Sequence, residues 1–153
     1  MIHMSTRISK AVILEACIAR QEELIQHFDQ RIEEVKADAY SHSETPSQTD
    51  EGASAPEEML EVMGQELRFV KAEMEILRSI DPENPATVVE RGAVVVTDKR
   101  TFFIAVSSEE LDLEVAKIFG MSEKAPLYGH MKGLKKGDSF SFNGMTYHIQ
   151  DIY

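Results

Sequence analysis

The chain has 153 residues, 42% hydrophobic and 28% charged, with no tryptophan, which is room for one or two small domains with modest cores. Its 27 acids against 16 bases give a net charge of −11, which excludes a protein whose main surface neutralises nucleic-acid phosphates with Lys and Arg. No apolar run approaches the roughly 20 residues of a membrane span. The first residues lack a signal-peptide layout, and the one cysteine, Cys17, leaves no intrachain disulfide, so a cytoplasmic protein is expected.

The charge is unevenly spread. Residues 1–85 carry 18 acids and 8 bases, whereas residues 86–153 carry 9 and 8. No Lys or Arg occurs between Lys36 and Arg68, a window holding Asp38, Glu44, Asp50, Glu51, Glu57, Glu58, Glu61 and Glu66. Pro85 is taken as the boundary between two domains, 1–85 and 86–153, with the acidic tip of the first at about 38–58.

Leu14, Ile18, Gln21, Ile25, Phe28, Ile32, Val35 and Ala39 recur at alternating spacings of 4 and 3. Only Gln21 breaks this apolar seam, and the pattern predicts a long helix from Ser5 or Ser9 to Ala39. Leu60, Met63, Leu67, Val70, Met74 and Leu77 form a second seam. Between them, Tyr40–Ala55 has loop chemistry. Ser54, with Glu57 three residues on and Pro56 in the first turn, predicts the start of helix two, and Asp81-Pro82 predicts its end. Two such helices form an antiparallel coiled-coil hairpin, a rod with the acidic block at its free end. A monomer is expected, and a seam paired between two chains stays open.

The second half is rich in β-branched residues. Gly92–Thr97 and Thr101–Val106 predict two strands. Val115–Met121 suits a third strand, with a helix from Ser108 as the alternative, and Pro126–Leu134 suits a short helix or turn. Ser139–Phe142 and Met145–Ile149 alternate around Asn143-Gly144, the strongest short-range hairpin signal. The fold class expected is therefore α+β: a helical hairpin followed by a small antiparallel sheet domain with one short helix. No HExxH, P-loop, GxGxxG or GxSxG pattern occurs, so an enzyme in its own right is not expected.

The stretch Ala125-Pro-Leu-Tyr-Gly-His-Met-Lys-Gly-Leu-Lys-Lys-Gly-Asp138 resembles the Ser-Pro-(Leu/Ile)-Gly-(Lys/Arg)-Ala-Leu-Leu-Gly-Lys-Lys-Val-Gly-Asp segment of the Gre family of bacterial transcript cleavage factors. Pro126, Leu127, Gly133, Lys135, Gly137 and Asp138 match in place, and Phe140–Tyr147 and Gly92–Thr97 are similar to the family's last hairpin and first strand. The chain departs from the family at Tyr128, Gly129, His130 and Lys132. It also departs at the tip, where Asp38–Glu51 replaces a compact Asp-x-x-Glu. The sheet domain is similar to peptidyl-prolyl isomerases of the FKBP type, as Gre C-terminal domains are, without an aromatic-lined pocket signature.

The resemblance implies a transcription elongation factor that binds RNA polymerase at its secondary channel. Its tip carboxylates would help hold a Mg2+ ion shared with the polymerase, so that the polymerase's intrinsic activity cleaves backtracked RNA. The nascent RNA 3′ end would be met only indirectly. Glu44, Asp50, Glu51 and Asp38 are the candidates for the tip chemistry, Glu44 and Asp50 for the metal, because magnesium takes oxygen ligands and keeps its waters. Tyr128, His130, Lys132, Lys135 and Lys136 are the docking candidates. The alternatives are a non-catalytic regulator of the same channel and a coiled-coil adaptor.

Overall fold

A computed structural model describes residues 7–42, 50–113 and 116–153. It contains helix α1 (Lys10–His42), helix α2 (Asp50–Arg78), strands β1 (Val94–Thr97), β2 (Thr101–Ala105), β3 (Glu110–Leu113) and β4 (Ala116–Ser122), helix α3 (Pro126–Met131), and strands β5 (Ser139–Phe142) and β6 (Met145–Ile152). The α+β architecture is the expected one. The chain forms two compact units: Ile18–Glu75, and Met1–Cys17 together with Ile76–Tyr153.

In the unit Ile18–Glu75 the predicted seams are the less exposed positions. Gln21, Met63, Val70 and Met74 are buried, while Ile18, Ile25, Phe28, Ile32, Val35, Leu60 and Leu67 are half-buried. The spacing puts these side chains on one stripe of each helix, and burying that stripe is what holds two long helices together. Gln21 is no defect in the seam. Its side-chain amide donates to the Val70 carbonyl oxygen at 2.9 Å and to Glu73 Oε1 at 3.1 Å, so a polar side chain that is 5% exposed is fully engaged. Helix α2 begins at Asp50, four residues before the expected cap. Ser54 and Pro56 therefore lie inside it, and acids at positions 50 and 51 suit the positive end of the helix dipole.

The other unit is built on a six-stranded sheet of order β3-β4-β2-β1-β6-β5. Four neighbouring pairs are antiparallel, but β2 with β4 is parallel, so the sheet is mixed where a purely antiparallel one was expected. The parallel pair arises because β3, a strand the sequence pattern did not show, lies outside β4. The chain leaving β2 must therefore cross β4 to reach it. Two serines secure that crossing: Ser107 Oγ accepts from the Ser122 N–H at 3.0 Å and Ser108 Oγ from the Gly120 N–H at 3.2 Å. Gly120 is required there, since a Cβ would lie 2.2 Å from the Val106 carbonyl oxygen. Asn143 and Gly144, at φ 49° and 77°, make the predicted tight β5–β6 turn.

The core lies on one sheet face, where Val95, Phe102, Ile104, Ile149 and Ile152 pack with Tyr128 and Met131 of α3. Phe140 and Tyr147, directly opposed across β5 and β6, stack at 4.9 Å between centroids. Val94 and Phe103 point to the other face and are also wholly buried, which accounts for the unbroken Val-Val-Val run of a strand covered on both sides. The segment before α1 is tied to the end of β6. Arg7 forks onto Asp151 at 2.7 and 2.8 Å, its guanidinium lies over the Tyr153 ring, and the Tyr153 hydroxyl donates to the Ile8 carbonyl at 2.7 Å.

Candidate functional site

The motif segment forms one continuous structure. Pro126 occupies the first turn of α3, where its fixed φ suits the helix and its missing N–H costs nothing. Gly133 and Gly137 take φ of 79° and 95°, a region that side-chain-bearing residues avoid. Between them, the Gly133 N–H donates to Val89 O and the Val89 N–H to Leu134 O, both at 2.9 Å. Asp138 closes the following turn, its Oδ2 accepting from the Lys135 N–H at 2.9 Å, while the Gly137 N–H donates to Ile149 O. The residues that match the family pattern are thus the ones that shape this turn, which is pinned at one end to Val89, ahead of β1, and at the other to Ile149 of β6.

That framework presents His130, Lys132, Lys135 and Lys136 as exposed side chains. The His130 ring sits 5.2 Å from that of Phe142 on the edge strand β5. Tyr128, grouped with them on sequence, is placed differently: it is 4% exposed, its ring belongs to the core, and burial pushes its phenol pKa up. A helix of six residues anchored by Tyr128 and Met131 has one inward face, and Tyr128 is on it. The lysines can offer charge-assisted hydrogen bonds to carboxylates of a partner.

The tip candidates are placed less completely. Asp38 is exposed on α1. Asp50 and Glu51 are the first two residues of α2, and Glu44 lies outside the described residues. Among the described residues no group of three His, Cys, Asp or Glu could hold a metal ion. Carboxylates suit magnesium chemically.

Sequence reasoning missed Gln21 as an interhelical bond, the Ser107–Ser108 crossing and the Arg7–Asp151 pair. Each joins residues far apart in the chain, and only the opposite charges of Arg7 and Asp151 offered a signal. Among the described residues, no helix is long and apolar enough to cross a membrane.

No family model matches this chain, and no curated protein matches it in sequence. Solved structures do align with it. The crystal structure of the GreA factor homolog 1 (Gfh1) protein of Thermus thermophilus is 15% identical, over 89% of this chain and 94% of that one, with a TM-score of 0.33. A structure of the transcription factor Gfh1 is 15% identical over 89% and 92%, with a TM-score of 0.35.

Proposed function

We propose that this protein is a Gre-like factor that binds RNA polymerase at its secondary channel, the exposed cations after α3 docking it and the tip acids Asp38, Glu44, Asp50 and Glu51 acting at the polymerase's reaction centre. The observation that carries the reading is the motif turn. The residues matching the Gre pattern, Pro126, Gly133, Gly137 and Asp138, are those that hold Lys132, Lys135 and Lys136 at the surface. The eight acids of the base-free window from Lys36 to Arg68 supply oxygen donors in a protein with no pocket motif of its own. The chain then needs no active site, because the bonds are broken by the polymerase and carboxylates only help recruit a metal and its water.

The test is binding of the fluorescently labelled chain to purified bacterial core RNA polymerase. Saturable binding is expected, weakened at least tenfold when Lys132, Lys135 and Lys136 are all changed to Glu. Absence of saturable binding at tens of micromolar polymerase would refute the proposal.

A further inference from the structure

We draw no further inference here: the strongest candidate, the cavity that the buried Lys10 at the start of α1 shares with Asp81, Asn84, Glu90 and Arg91 beyond the end of α2, carries nothing, because the Lys10 ammonium already donates to the Asn84 carbonyl oxygen at 2.9 Å, the acids and bases around it balance, and nothing in the structure shows what would fill it.

Discussion

The side-chain amide of Gln21 donates to the backbone carbonyl of Val70 across 49 residues of chain, at 2.9 Å. It does so from inside an apolar seam, at 5% exposure. A polar residue at one seam position fixes which residues of two helices stand opposite each other, at some cost in stability. Gln21→Ala removes the bond and opens a gap, so unfolding free energy should fall by about 1–3 kcal/mol in denaturant titration. Gln21→Leu restores the apolar seam and should stay within about 1 kcal/mol of wild type, since replacing a buried polar group by an apolar one of similar size is nearly neutral. Its cost should appear instead as a mixture of oligomers in sedimentation.

Glu73 accepts the second hydrogen bond of Gln21, and burial holds its carboxyl above the usual carboxylate pKa, against the smaller lowering effect of that bond. A carboxyl raised in the folded state favours folding when protonated, so its charge opposes folding once the pH exceeds the folded value. Glu73→Gln should therefore raise the melting temperature at pH 7. The gain should shrink as the pH falls through the raised value and vanish below about 4.3, where the unfolded carboxyl is protonated too.

Asp151 has the opposite sign. The hydrogen-bonded Arg7 guanidinium is the largest influence on it and holds its carboxyl below the usual range. A depressed carboxyl adds stability that is complete above the unfolded value of about 3.9 and is lost as the pH falls through the folded one. Asp151→Asn should cost about 0.5–1 kcal/mol at pH 6, a modest sum because Arg7 is half exposed and water screens the pair. The difference in melting temperature should close toward zero in acid.

Gly120 is where the β2–β3 crossing meets β4. A methyl group there would lie 2.2 Å from a backbone oxygen and 2.5 Å from Ser108 Oγ. Backbone cannot step aside as a flexible side chain would, so Gly120→Ala should cost about 3 kcal/mol or more. Amide exchange should report the loss first in β3 and β4.

How far the sequence alone carried depended on the range of the interaction. The α1 and α2 seams were legible because burying one stripe of a helix imposes a 3-4 spacing, and the β5–β6 hairpin because Asn143-Gly144 supplies two positive φ angles in a row. Strand β3 was not legible: Glu110–Leu113 has only four residues, and its place at the sheet edge beside β4 follows a crossing held by two serine hydroxyls bonded to β4. Helix α2 begins at Asp50, four residues before its capping signal, and acids at a helix start suit its positive dipole end. At the turn after α3, Gly133, Gly137 and Asp138 were readable from local geometry. Tyr128 was not, since its inward direction is set by α3 packing on a sheet whose strands come from elsewhere in the chain.

Transcript cleavage in stalled, backtracked polymerase complexes, with the purified chain and magnesium, tests the central claim most directly. The account predicts shortened RNA above the polymerase's own rate, lost when Glu44, Asp50 and Glu51 are changed together to Ala while binding persists. RNA that stays full length at saturating protein would contradict it, as would cleavage that survives removal of those three carboxylates.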